Sequence, residues 1–293
     1  MSASRLLAAL LLTAAVVGLL GWWLLRPDEP QPPPSPPPVA RPATPPAASA
    51  PLAASAPELP AIQHPMQAIE TPAPTERKPL PKLDASDARL KDELDTWLGR
   101  KKVQQFLQLD SFVRRVVVTV DNLAREHAAP ALWPVHPTPG RLATLRSGSR
   151  EFIGSDNAQR YSALVQFIDV VDARQGVQLY AALYPLFQQA YEELGYPRGY
   201  FNDRLVQVID TLLATPVIDE PLEVTLVEVK GPIAPERPWT RYEFADESLQ
   251  SLAAGQKMLL RMGPAHHRRL RAKLLEIRAL LTRAPLPAAL GGR

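Results

Sequence analysis

Nineteen of the chain's 33 prolines lie between Pro27 and Pro81, and that crowding limits what the first third of the molecule can become. Proline fixes its own φ, lacks an amide hydrogen and disfavours helix at the residue before it. A stretch such as QPPPSPPPVARPATPPAASAP therefore samples extended conformations. It also carries too few branched or aromatic side chains to offset the entropy of ordering it. Residues 27–83 read as a disordered Pro/Ala-rich linker whose fully extended reach is roughly 170 Å, at about 3.1 Å per residue. PPPSPPP would also suit a proline-recognising groove, but a spacer accounts for it without a partner.

The linker joins two unlike parts. Leu6 to Leu25 run for twenty positions without a charge, long enough as a helix to cross the roughly 30 Å hydrocarbon core of a bilayer. Trp22 and Trp23 sit where indole rings favour the headgroups, and Arg26 follows them. A cleaved secretory signal has a shorter apolar region and a small-residue cleavage site. Here Arg26-Pro27-Asp28-Glu29-Pro30 follows instead, so residues 1–26 are expected to be an uncleaved, single-pass signal-anchor. Positive charge barely separates the two topologies, with Arg5 on one side and Arg26 on the other. The short N-terminal tail and the long spacer favour an inner (cytoplasmic) membrane protein with its body in the periplasm.

From Asp84 the composition becomes that of a folded domain, expected over 84–285 with a flexible tail at 286–293. The fold class is mainly α: a helical globular domain with a short two-stranded β insert. Asp84 or Ser86 caps a helix through Leu90, Leu94 and Trp97 that Gly99 ends. Val113, Val116, Val117, Val120, Leu123, Ala124 and His127 recur at helical spacing. Four prolines and three glycines between Ala128 and Ser155 predict a loop of about 27 residues. Helices follow from Ser155, from Ala173 with a kink or restart at Pro185, and from beyond Pro197 to Thr215. LEVTLVEV (Leu222 to Val229) and TRYEFA (Thr240 to Ala245) suit a paired ribbon. Helix then returns at Asp246 and, after Gly263-Pro264, carries Leu270, Leu274, Ile277 and Leu281.

Chemistry is sparse. No cysteine is present, which excludes disulfide stapling and thiol catalysis, and a net charge of +3 gives no reason to expect a nucleic-acid partner. His64 falls in the linker, His127 on an apolar face, and His136 in the proline-rich loop. His266 and His267 are adjacent rather than at the i, i+4 spacing of a helical zinc site. Asp203/Asp210 and Asp169/Asp172 are spacings that solvated helix faces produce routinely. No nucleophile elbow or phosphate loop is found. The chain is expected not to be an enzyme, and no cofactor or metal is expected. Charge is unevenly placed: residues 255–293 hold nine basic residues and one acid, whereas 84–254 hold 18 basic and 24 acidic residues. Arg268, Arg269, Arg271, Lys273 and Arg278 thus form a candidate surface for an anionic partner, or alternatively complement the acidic remainder. Arg141 and Arg146 in the long loop, with Tyr180 and Tyr184, form a candidate small-molecule site.

Five strings, FVRRVVVTVDNLARE, PTPGR, LYPLFQQAYEELGYP, FNDRLVQVIDTLLATP and YEFADESLQSLAAGQKMLLRMGP, resemble in order and content a bacterial membrane-anchored family known as domain of unknown function 3014. The resemblance covers roughly Asp84 to Leu281. It implies an N-terminal anchor and an envelope location, and it supplies no activity or catalytic residue. The expectation is a non-enzymatic cell-envelope protein whose tethered helical domain binds an envelope partner. The alternative is a small-molecule-binding or enzymatic domain with its site at the 128–155 loop.

Overall fold

The computed structural model describes residues 61–66, 79–227, 237 and 240–282. The expected anchor, most of the linker and the 286–293 tail lie outside the described residues. Among those described, no helix is long and apolar enough to cross a membrane.

The domain is mainly helical. A 3₁₀ turn, Leu83–Ala85, leads into α1 (Ser86–Leu98); Gly99 separates this from α2 (Arg100–Phe106), and α3 (Phe112–Leu123) follows. No side chain caps α1 in the way expected of Asp84 or Ser86; Ser86 Oγ instead donates back to Leu83 O at 2.7 Å. Asp87 of α1 accepts the Ser111 and Phe112 amides at 2.6 and 3.0 Å, which caps α3 from a neighbouring helix. Helix α3 ends before His127, whose side chain is exposed rather than part of the apolar face.

The 128–155 segment is not the single long loop its prolines and glycines predict. Pro130–Leu132 form a 3₁₀ turn, and Gln108 N→Pro134 O and His136 N→Phe106 O, both 2.9 Å, pin the next residues to the end of α2. Thr144–Ser147 (β1) and Arg150–Ile153 (β2) then pair antiparallel, turning at Gly148, whose φ of +60° suits a two-residue hairpin turn. The domain therefore holds two ribbons where one was expected. The second, β3 (Val224–Leu226) with β4 (Tyr242–Phe244), is the expected insert. A bridge between Phe152 and Glu223, with Ile153 N→Leu222 O at 2.9 Å, ties β2 to β3. Inward-facing Ile153, Val224, Tyr242 and Phe244 pack with Leu260 beneath the ribbons.

A 3₁₀ turn (Ser155–Tyr161) enters α4 (Ser162–Val170), followed by α5 (Ala173–Glu193) and α6 (Phe201–Leu213). Helix α5 is continuous through Pro185, so of the expected kink or restart the restart does not occur. Pro185 is exposed, so the amide bond it removes lies on the side where water satisfies the freed carbonyl. The helix expected from Asp246 breaks at 251–253 into α7 (Glu247–Gln250) and α8 (Ala254–Arg261), and α9 (Pro264–Thr282) closes the chain of elements. Helix α9 packs on α4, α5 and α6, while α3 packs on α5, α6 and α8.

Close approach governs α8. A β-carbon at Gly255 would stand 2.6 Å from Leu212 Cδ2 and 3.1 Å from the Leu123 carbonyl. A Gly255→Ala variant is expected to lose about 1–3 kcal/mol by overpacking, despite its higher helix propensity. Chemical denaturation would measure this; a gain in stability would show that α8 can shift away at no cost.

Candidate peptide-docking site

The sequence places Tyr180, Tyr184, Phe187 and Tyr191 on one stripe of α5, and in the fold that stripe is core. Phe201, at the first position of α6, is fully buried against it, stacked on Phe187 at 6.1 Å and tilted on Tyr191 at 5.4 Å. Gln188 of α5 fixes the turn into α6, accepting from Phe201 N at 2.9 Å and donating to Gly199 O at 2.8 Å. The start of α6 is thereby held rigidly against the core.

On that start lies a piece of the supposed linker. Residues 61–66 run across the entry of α6, so this part of the 27–83 stretch belongs to the domain surface. Asp203 accepts the main-chain amides of Gln63 at 3.0 Å and His64 at 2.7 Å. Asn202 Nδ2 donates to His64 O at 2.8 Å, and the Tyr200 hydroxyl accepts Met66 N at 2.9 Å. Pro65 has no amide to offer and sits exposed between these contacts. Met66 packs against Val177, Val206, Ile209 and Leu281. Residues 79–83 are likewise placed: Arg89 donates to Pro79 O, and Leu83 is buried in the core.

Three groups orient the clamp. Asn202 is 0% exposed, and its Oδ1 accepts from the Tyr180 hydroxyl at 3.3 Å, which turns its amide nitrogen toward His64. Burial, reinforced by neighbouring phenols and Asp203, pushes Tyr180 and Tyr184 well above the ordinary phenol value, so both remain donors. Tyr184 donates to Gln188 at 3.0 Å, completing the chain of contacts from core to turn.

Beside the clamp, Asp121 is 3% exposed yet shared by three partners. Arg125 reaches its Oδ2 at 2.6 Å, Arg204 its Oδ1 at 3.0 Å, and Tyr196 donates to Oδ2 at 3.2 Å. Arg204 Nη2 also donates to the Asp121 carbonyl. This junction locks α3 to α6; nothing in the sequence singled out Asp121 from the other acids.

The cations of the C-terminal helix meet acids of the same domain. Arg268 pairs with Asp219 at 2.5 Å, Arg269 with Asp169, and Arg278 with Asp210. Lys273 donates to Val171 O and Glu276, and Arg271 to Leu213 O. The carboxylate spacings resolve similarly: Asp172 caps α5 by accepting Gln175 N at 2.8 Å, and Asp203 holds the docked segment. The loop constellation is not assembled. Arg146 lies exposed on β1, which pairs with β2, and Arg141 is exposed before it. Tyr180 and Tyr184 lie instead in the core contacts of α5, because the loop folds into a ribbon that docks on β3 rather than on that helix.

His266 and His267 are both buried. His266 Nε2 donates to Ala158 O at 3.0 Å and lies 3.2 Å from Ser162 Oγ, joining α9 to α4. His267 is 1% exposed, and its Nε2 has no hydrogen-bond partner among the described residues. Burial first, then Arg271 and Arg268, hold its pKa below the ordinary 6.5. The unfolded chain then binds the proton more readily, so this contribution is full above pH 6.5 and falls as pH drops from there toward the folded value. Urea midpoints across pH 5–8 are expected to show a loss on the acid side that His267→Asn reduces. Equal slopes for the two proteins would remove the assignment. Among the described residues, no group of three His, Cys, Asp or Glu is arranged to hold a metal ion.

Fold and site together define a helical domain that holds a bent segment of its own chain at a helix entry. A family model described as a protein of unknown function, DUF3014, matches residues 112–278, and the chain belongs to that family. Neither the search of curated proteins nor that of solved structures found a match.

Proposed function

We propose that this chain is a non-enzymatic cell-envelope protein. Leu6–Leu25 anchors it in the inner membrane, the proline-rich stretch carries the domain into the periplasm, and the helical domain binds an envelope partner. One observation supports the binding role above others: main-chain groups of Gln63, His64 and Met66 are held by Asp203, Asn202 and Tyr200. Recognition of a peptide through its main-chain groups is a recurring basis of protein–protein docking. The location rests on the charge-free run of twenty residues and on the layout of anchor, spacer and domain.

Protease added to spheroplasts is expected to digest the domain alongside a periplasmic control while a cytosolic control survives. A domain that stays protected until lysis would reverse the topology. Photo-crosslinkers placed at Gln207, beside the docked segment, are expected to trap an envelope protein in cells. Crosslinks confined to cytosolic proteins would count against the reading.

A further inference from the structure

The constellation that holds Gln63–Met66 has no feature that requires its ligand to come from the same chain. We infer that the Tyr200–Asn202–Asp203 clamp is a peptide-recognition site for bent segments of a partner protein that place an apolar side chain directly after proline. In this chain the site is kept closed by its own linker. The inference deepens the binding-module reading and rests on it for the existence of a partner, but not for the location of the domain.

The contacts themselves specify the ligand. All four hydrogen bonds go to ligand main chain: two amides to Asp203, one carbonyl to Asn202 and one amide to Tyr200. Between Gln63 and Met66 every amide is bonded, and Pro65 has none to leave unsatisfied, so the pattern accommodates proline. Ile62, Gln63 and Pro65 point largely to solvent, which leaves those positions open to other side chains. Met66 alone contributes a packed apolar anchor, against Val177, Val206, Ile209 and Leu281. Val177 and Leu281 also line an apolar cleft of about 270 Å³ with Ile168, Val171, Tyr180 and Ile277, so a bulkier anchor has room nearby. Part of the clamp is held by the domain itself, because Tyr180 orients Asn202 and Gln188 holds the turn into α6. Such preorganisation lowers the entropic cost of binding.

Closure in cis sets the threshold for a partner. A tethered ligand acts at an effective concentration of order millimolar. A free partner segment must exceed that, whereas a segment presented repeatedly or at the membrane surface can do so. Displacement would release residues 61–66 to the linker and lengthen its free span.

The test uses the full chain in detergent micelles and a fluorescein-labelled peptide of residues 61–68, AIQHPMQA. Gln63→Pro, His64→Pro and Met66→Ser together delete the two amides and the anchor of the internal ligand. The opened chain is expected to bind the peptide at least about tenfold more tightly than the unaltered chain. Adding Asp203→Ala is expected to cost about tenfold or more, as two hydrogen bonds to a carboxylate are lost. A peptide N-methylated at its Gln and His amides, with every side chain intact, should not bind. Equal affinity of the opened and unaltered chains, or undiminished binding of the N-methylated peptide, would overturn the inference. If Asp203→Ala unfolds, as thermal circular dichroism would reveal, the N-methylated peptide still decides. Hydrogen exchange gives the answer without substitution: amides 63, 64 and 66 should be protected in the unaltered chain and lose protection in excess peptide. A concentration-dependent dimer of the opened chain that peptide dissolves would assign the groove to a second copy and overturn the partner assignment. None of these outcomes depends on topology, so failure here and failure of the spheroplast assay are separable.

Discussion

An Asp121→Ala variant is expected to lose about 3 kcal/mol of domain stability, because it strips away the carboxylate that two guanidiniums and a phenol share. Removing one member of a buried charge cluster leaves the others desolvated and unmatched, which costs more than the pair contributes when intact. The figure sits at the low end of the range for such losses because Arg125 keeps a 52% exposed side chain and can rehydrate. Arg204, at 20%, cannot do so as readily, so Arg204→Ala should cost more than Arg125→Ala. Asp121→Asn retains an acceptor for Arg204 but loses the charge, and should fall between wild type and alanine. Urea melts with unchanged slope would measure the series. A loss below about 1 kcal/mol for Asp121→Ala would show that solvent already screens the cluster.

Phe201→Ala should be at least as damaging, at about 3–5 kcal/mol. The ring is 0% exposed and contacts three aromatic rings of α5: Phe187, Tyr191 and Tyr180. Deleting it opens a cavity that a rigid aromatic stack closes poorly, while Phe201→Leu keeps more of the volume and should cost less. Position matters as well as size. Phe201 immediately precedes Asn202 and Asp203, so loosening the start of α6 should also release the docked segment. Faster amide exchange at residues 63, 64 and 66, seen together with the drop in stability, would link core and clamp. Unchanged protection of those amides would show that the clamp holds its shape independently of this ring.

Some of this could be read directly from the chain. The apolar period at Val113, Val117 and at Tyr184, Phe187, Tyr191 identifies inward helix faces, and those residues are buried. The valine-rich run at 222–229 and its partner at 240–245 mark the β3–β4 ribbon. The other ribbon was hidden because TLRS and REFI are short and carry three charges among eight residues, so no apolar alternation announces them. Only the Gly148-Ser149 pair signals a hairpin, and a run of prolines and glycines obscures it. His64 and Asp203 lay still further from view. They lie 139 positions apart, and their contact joins a carboxylate to a backbone amide, which every non-proline residue possesses.

Charge shows the same division. Composition alone establishes that the last 39 residues are strongly basic and the preceding domain acidic, and that the chain has an apolar run, a proline-rich stretch and a helical domain in that order. Those are properties of local composition and period, which a single sequence carries. Whether the cations face outward or inward is not local. The fold pairs Arg268, Arg269 and Arg278 with Asp219, Asp169 and Asp210 because α9 packs across α4 and α6. The same packing sets the entry of α6 where residues 61–66 come to rest, since a through-space contact depends on where remote segments meet.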